Sequence, residues 1–170
     1  LDKIRDTATS HERLFVIEVM GRRNGFIALD VAMVAGAEAV IIPEVKFNLN
    51  TIVKQIKEGH ERGKKSFIIV VAEGATDSRK LVAQLQKKLN IEVRLSILGH
   101  MQRGGTPTAL SRELACKLGV TAVELMLKGG GGYLIGAISE KVCCTPISKV
   151  YKKKKQVDLE HLRIMNMLAT

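Results

Sequence analysis

The sequence predicts an α/β fold, a doubly wound and mainly parallel sheet with helices on both faces. Short apolar segments alternate with longer stretches of helical spacing along the whole chain, the pattern of a parallel sheet built from βαβ units. One segment, Phe67-Ile68-Ile69-Val70-Val71, is continuously apolar and β-branched, as a strand covered on both faces must be. Glycines follow several helical stretches, at the places where a left-handed residue closes a helix.

The elements follow in order. Leu14 to Val19 reads as a buried strand that Gly21 ends. Phe26 to Ala35 has helical apolar spacing and closes at Gly36. Ala39 to Ile42 is the next strand, stopped by Pro43. Asn50 is placed to cap a helix running to about Glu61, closed by Gly63. Ser66 to Ala72 is the clearest strand, and Asp77 or Ser78 caps a helix to Leu89. Glu92 to Leu98 is another strand. Ala109 to Leu127 reads as a long amphipathic helix, Gly129 to Gly132 as a flexible break, and Tyr133 to Ile138 as a last apolar strand. Asp158 caps a final helix in which Leu159, Leu162, Ile164 and Met167 fall partly in phase. No internal repeat is present, and the lysine run Lys152 to Lys155 is the one low-complexity piece.

The 170 residues suffice for one domain of ordinary size, and no apolar run is long enough to span a bilayer. Residue 1 is a leucine within a pattern already under way, as in a piece of a longer chain. No basic segment followed by an apolar run marks a secretory signal. The net charge of +10 suits nucleic acid, an anionic membrane or a phosphorylated small molecule. Aromatic residues make up only 4% and tryptophan is absent, so the stacking platforms of single-strand binding are missing. Neither nucleic acid nor membrane is therefore the expected partner. Cys116, Cys143 and Cys144 have no metal-ligand spacing, and the adjacent pair is poorly placed for a bridge, which fits a reducing, cytoplasmic setting.

The most informative stretch is Gly99-His100-Met101-Gln102-Arg103-Gly104-Gly105-Thr106-Pro107. It sets a histidine and an arginine beside paired glycines at a strand's carboxyl end, where open α/β sheets bind ligands. Glycine lets backbone approach a ligand closely, and arginine forks onto phosphate oxygens. A pocket for a phosphorylated metabolite is the chemical reading, against a solvated glycine-rich connection.

This stretch resembles the LGHxQRGGxP signature of the 6-phosphofructokinase family. Glu18-Val19-Met20-Gly21-Arg22-Arg23-Asn24-Gly25 is similar to that family's EVMGRxxG motif, and Arg5-Asp6-Thr7-Ala8-Thr9-Ser10-His11-Glu12-Arg13 to its RDTxxSHxR stretch. Three motifs in the right order and spacing are specific. The resemblance is to the C-terminal half of the bacterial-type, ATP-dependent subunit, and it fades after about Val142.

The resemblance implies phosphorylation of fructose 6-phosphate to fructose 1,6-bisphosphate, in glycolysis, by an allosteric homotetramer or at least a dimer that uses ATP and Mg2+. It implies that residues 1–102 form a sugar-phosphate and effector lobe. Residues 103–150 would pack on a nucleotide-binding lobe, and residues 151–170 would return as a tail. The helix Ala109–Leu127 would leave an apolar face open in this chain alone, an association liability.

By resemblance, Arg22 lies close to the transferring phosphoryl group and is the catalytic residue. Met20 and Gly21 lie along the sugar, Glu73 accepts from sugar hydroxyls, and His100 and Arg103 make the remaining phosphate and sugar contacts. Arg13 and Arg94 match arginines that reach across a subunit interface to the sugar phosphate. A second set, Arg5, Gly36, Glu38, Arg62, Lys64, Lys65 and Ser66, matches an allosteric site for a nucleoside diphosphate or phosphoenolpyruvate. There Glu38 and a nearby carbonyl would hold magnesium. Ser66 departs from the histidine or similar polar residue of some relatives.

The family's glycine-rich phosphate loop (GGDG type) and catalytic aspartate segment (TIDND type) have no match in this sequence. The chain therefore holds most of an acceptor site and no general base, and is expected to be inactive alone. A pyrophosphate-dependent enzyme and a non-catalytic sugar-phosphate or nucleotide sensor are the alternatives.

Overall fold

The computed structural model describes residues 1, 3–6, 13–152 and 155–169. Residues 7–12 of the first motif, and Lys153 and Lys154 of the lysine run, lie outside the described residues. The chain divides into two compact units, residues 1–104 with 157–170, and residues 105–156.

The first unit is built on a parallel four-stranded sheet. Its strands are β1 (Leu14–Val19), β2 (Ala39–Ile41), β3 (Phe67–Ala72) and β4 (Val93–Ile97), in the order β2-β3-β1-β4. β1 pairs with β3 from Leu14↔Phe67 to Val19↔Ala72, and with β4 from Leu14↔Val93 to Glu18↔Ile97. The helices are α1 (Phe26–Val34), α2 (Leu49–Glu61), α3 (Ser78–Leu89) and, near the chain's end, α6 (Leu159–Leu168).

Side chains on a strand alternate between faces, so β1 and β3 supply two cores. Leu14, Val16, Phe67, Ile69 and Val71 pack with Ile52, Val53 and Ile56 of α2 and with Leu81 and Leu85 of α3. Ile17, Val19, Ile68, Val70 and Ala72 pack on the other face with Ala28, Leu29 and Ala32 of α1 and Met165 of α6. Every residue of β3 is buried, which is why its sequence reads as an unbroken apolar run. Helices thus cover both faces, as the periodicity predicts. The chain leaves β1 for one face and β3 for the other, and a crevice opens between their carboxyl ends.

The caps refine the expected boundaries. Asn48, not Asn50, is the N-cap of α2: its backbone is extended and its side chain accepts from the Asn50 amide at 2.9 Å. Asn50 sits inside the first turn and accepts from Lys88 Nζ instead. Asp77 caps α3 by accepting from the Arg79 and Lys80 amides, and Asp158 caps α6. α1 ends one residue early, at Val34, with Gly36 following at φ +56.

The second unit contains α4 (Ala109–Leu127), β5 (Tyr133–Ile138), β6 (Lys141–Pro146) and the single turn α5 (Ile147–Val150). β5 does not join a parallel sheet; it forms an antiparallel hairpin with β6, from Tyr133↔Pro146 to Ile138↔Lys141. The hairpin has no signal in the sequence, since the connecting pair, Ser139-Glu140, lacks the usual Asn-Gly. Both residues nevertheless take the positive φ that such a tight turn demands, 47° and 66°. None of the described residues between 105 and 156 is buried.

Candidate active site

The loop after β1 is held at three consecutive amides by two distant side chains. Gln102 Oε1 accepts from the Met20 amide at 2.8 Å. Glu73 Oε1 accepts from the Arg22 amide at 2.6 Å and the Gly21 amide at 3.4 Å. Glu73 is fixed in turn because its own amide continues the β1–β3 ladder, donating to Val19 O at 3.0 Å. Gln102 lies in a 3-10 turn, Gly99–Arg103, that follows directly on β4.

Between these anchors the chain makes a tight turn, closed by Asn24 N–H donating to Gly21 O at 2.9 Å. Arg22 takes φ 52° there, a left-handed conformation that costs a non-glycine residue about 1–2 kcal/mol. A hydrogen bond to a charged group contributes about 1.5–3 kcal/mol, so the Glu73 carboxylate is enough to hold the turn. The turn also rests on Gly74. A Cβ at that position would collide with the Arg22 carbonyl oxygen, so the close approach requires glycine.

A cavity of about 330 Å³ opens over this loop, lined by Met20, Gly21, Arg22, Ile27, Glu73, Gln102 and Arg103. It lies at the carboxyl ends of β1, β3 and β4. The structure thus brings together five of the residues expected to bind substrate: Met20, Gly21, Arg22, Glu73 and Arg103. His100 sits exposed in the same 3-10 turn as Arg103 but is not among the lining residues. Two arginines beside one carboxylate and two apolar side chains suit a small polyol carrying negative charge.

Arg13 and Arg94 lie elsewhere. Arg13 directly precedes β1 and Arg94 is the second residue of β4, so both sit at the amino ends of the strands. At about 3.3 Å per residue, β1 alone sets Arg13 roughly 20 Å from Met20. Both guanidiniums pair with Glu92: Arg13 Nε with Oε2 at 2.8 Å and Arg94 Nη2 with Oε1 at 2.5 Å.

The second cationic set gathers at the amino ends of β2 and β3. Glu38 is buried, with 4% of its surface exposed. Its Oε2 accepts from the Ile68 amide and its Oε1 pairs with Lys64 Nζ. Arg5 Nη2 donates to Gly36 O at 3.2 Å. Arg62 caps the carboxyl end of α2, and Lys65 and Ser66 follow on the same connection into β3. Both oxygens of Glu38, the acid expected to hold magnesium, thus already have protein partners. Among the described residues no group of three or more His, Cys, Asp or Glu side chains is placed to hold a metal ion.

Gln102, Gly74, Glu92 and Ile27 carry no expected role from sequence. Gln102 stands inside the motif already singled out. Gly74 carries a weaker signal, a glycine directly after the acid that ends the most apolar strand. Glu92 and Ile27 look like ordinary surface and helix residues, and only the tertiary fold gives them meaning.

Comparison with known proteins bears on the site. The family model described as phosphofructokinase matches residues 1–126. The ATP-dependent 6-phosphofructokinase of Bacillus subtilis strain 168 is 48% identical over 169 residues, 99% of this chain and 53% of that protein. The protein of the same name from Bacillus licheniformis is 46% identical over the same shares. The chain spans about half the length of the curated relatives it matches, and corresponds to their C-terminal half. Among solved structures, phosphofructokinase from Saccharomyces cerevisiae aligns with a TM-score of 0.81 at 33% identity, over 89% of this chain and 22% of that one. The T-state phosphofructokinase of Pichia pastoris aligns with a TM-score of 0.80 at 28% identity, over 88% of this chain and 19% of that one.

Proposed function

The chain belongs to the phosphofructokinase family, and from that premise we propose that it supplies the acceptor-sugar half of an ATP-dependent 6-phosphofructokinase. The observation that carries this reading is the clamped loop Met20–Gly21–Arg22, facing Glu73 and Arg103 across one cavity. The names of the curated relatives favour ATP over pyrophosphate as the donor.

Phosphoryl transfer asks a protein mainly for positioning and charge neutralisation. Arg103, with His100 beside it, takes the phosphate of fructose 6-phosphate. Met20 and Gly21 form the floor along the sugar. Glu73 spends Oε1 on the loop, and its other oxygen accepts from a sugar hydroxyl. Arg22 sits where negative charge builds on the moving phosphoryl group, and its strained turn fixes it there before substrate arrives.

Arg13 and Arg94 serve the same reaction from a second copy. The family resemblance gives them that cross-copy role, which makes the working enzyme a dimer or a tetramer, and their distance from this chain's own cavity supports it. The donor, its Mg2+ and the general base come from outside these residues, since the glycine-rich and aspartate motifs have no match here. Residues 1–102 form the sugar-phosphate and effector lobe, residues 103–150 pack on a nucleotide-binding lobe, and residues 151–170 form the tail. The absence of buried side chains among the described residues of 105–156 supports that division. Arg5, Arg62, Lys64 and Lys65, with Gly36, Glu38 and Ser66, receive a phosphorylated effector. Because Glu38 is already bonded on both oxygens, no metal is assigned to it. A glycolytic kinase of this kind works in the cytoplasm, and no helix among the described residues is long and apolar enough to cross a membrane.

The test is turnover. The complete subunit should phosphorylate fructose 6-phosphate with ATP, and this chain alone should not. Arg22→Ala in the complete subunit should lower kcat about 10²-fold or more, the scale for loss of one transition-state donor. Unchanged kcat in that variant would refute the role of Arg22.

A further inference from the structure

Glu92 holds two arginines, one just before β1 and one in β4, one on each carboxylate oxygen. Arg13 meets Oε2 through Nε, and Arg94 meets Oε1 through Nη2. Among the described residues neither Arg13 nor Arg94 has an ion-pair partner other than Glu92. All three side chains are part-exposed, with 31%, 54% and 45% of the surface open for Arg13, Arg94 and Glu92.

Exposed ion pairs of this kind contribute little to stability, so folding does not account for the cluster. Its geometry does something else. Two guanidiniums this close repel one another, and unpaired they would spread into solvent along different rotamers. A carboxylate between them cancels that repulsion, fixes both side chains and leaves a net charge of +1 facing outward. A phosphate monoester, which is close to a dianion at neutral pH, is matched by such a preset fork.

We propose that Glu92 is the positioning residue of this two-arginine clamp, setting Arg13 and Arg94 for the phosphate of a sugar phosphate held in a second copy's cavity. This rests on the cross-copy role given to Arg13 and Arg94 above. The opposite role on the same contacts, a carboxylate that phosphate must displace, predicts the opposite sign. Positioning is favoured because a guanidinium carries five N–H donors, so each arginine keeps an edge for phosphate without breaking its pair with Glu92.

The experiment is steady-state kinetics of the complete subunit carrying Glu92→Gln, Glu92→Asp or Arg13→Ala. Glu92→Gln keeps the shape and removes the charge. It should raise KM for fructose 6-phosphate about tenfold, while kcat, KM for ATP and the melting temperature stay near the parent values. Glu92→Asp keeps the charge on a shorter arm and should fall between parent and Glu92→Gln; it decides the matter if Glu92→Gln fails to fold. A KM for fructose 6-phosphate that is unchanged or lowered in Glu92→Gln overturns the proposal. If Arg13→Ala raises that KM and Glu92→Gln does not, only the role of Glu92 falls. If Arg13→Ala also leaves it unchanged, the cross-copy reading fails and the proposal with it.

Discussion

Glu73 Oε1 accepts a hydrogen bond from the Arg22 amide at 2.6 Å, across 51 residues of sequence. The bond ties the end of β3 to the turn that follows β1 and fixes Arg22 in its left-handed backbone conformation, φ 52°. A residue expected to face the sugar is thereby also the residue that builds the loop. Because the carboxylate serves two amides through one oxygen, loop shape and substrate contact are coupled through a single side chain.

Replacing Glu73 should therefore cost more than a substrate contact. Glu73→Ala leaves two amides without their acceptor, a loss of about 1.5–3 kcal/mol for a charge-assisted bond. Hydrogen exchange at the Arg22 amide should quicken accordingly, by about tenfold or more. Glu73→Gln retains an acceptor oxygen and should quicken it less. Equal exchange in all three proteins would show that the bond does not hold the turn.

Gly74→Ala should be poorly tolerated. The new methyl group meets the Arg22 carbonyl, a backbone atom that cannot rotate away. Overpacking of this sort costs about 1–3 kcal/mol. The midpoint of urea unfolding should fall while the slope stays constant. A midpoint equal to the parent's would mean that the loop has another resting position.

The sheet and its helices were legible because burial leaves a period in the sequence. β3 is buried at all six positions and reads as an unbroken apolar run, and the helices that cover it carry apolar residues at helical spacing. Met20, Gly21, Arg22 and Arg103 stand in the quoted motifs and Glu73 at the end of the most apolar strand, and all five line one cavity. The rest depends on contacts that no local pattern encodes. Gln102 reaches an amide 82 residues away, and Glu92 meets Arg13 only because β1 and β4 are neighbours. The β5–β6 hairpin escaped detection because Ser139 and Glu140 adopt a turn that their residue types seldom signal.

The two units should respond differently to truncation of apolar side chains. Leu85 is fully buried between α3 and the sheet, so Leu85→Ala should destabilise the first unit by about 2–5 kcal/mol. Val123 of α4 is 56% exposed, and Val123→Ala in this chain should change stability by less than about 0.5 kcal/mol. Denaturant unfolding of the two variants checks both figures. Similar losses at the two sites would contradict the distribution of the core.

The start of α3 should weaken in acid. The Lys80 and Arg79 amides donate to Asp77, and the Lys80 amide is the chief cause holding its carboxyl below the ordinary value of 3.8. A lowered folded-state pKa means that the cap stabilises the helix above the unfolded value and loses that contribution as pH falls through the folded one. Exchange at the Arg79 and Lys80 amides, corrected for intrinsic rates, should therefore lose protection below about pH 3.8 in the parent. Asp77→Ala should lack this step. Protection that is flat across that range in the parent would contradict the capping role.

The most direct test of the acceptor-site assignment is calorimetric binding of fructose 6-phosphate to the complete subunit, with and without Arg103→Ala. The clamped loop and the cavity predict that the variant binds at least tenfold more weakly, as loss of a charge-assisted phosphate contact of about 1.5–3 kcal/mol requires. Equal affinity in a folded Arg103→Ala variant would place the sugar phosphate elsewhere and contradict the assignment of this cavity.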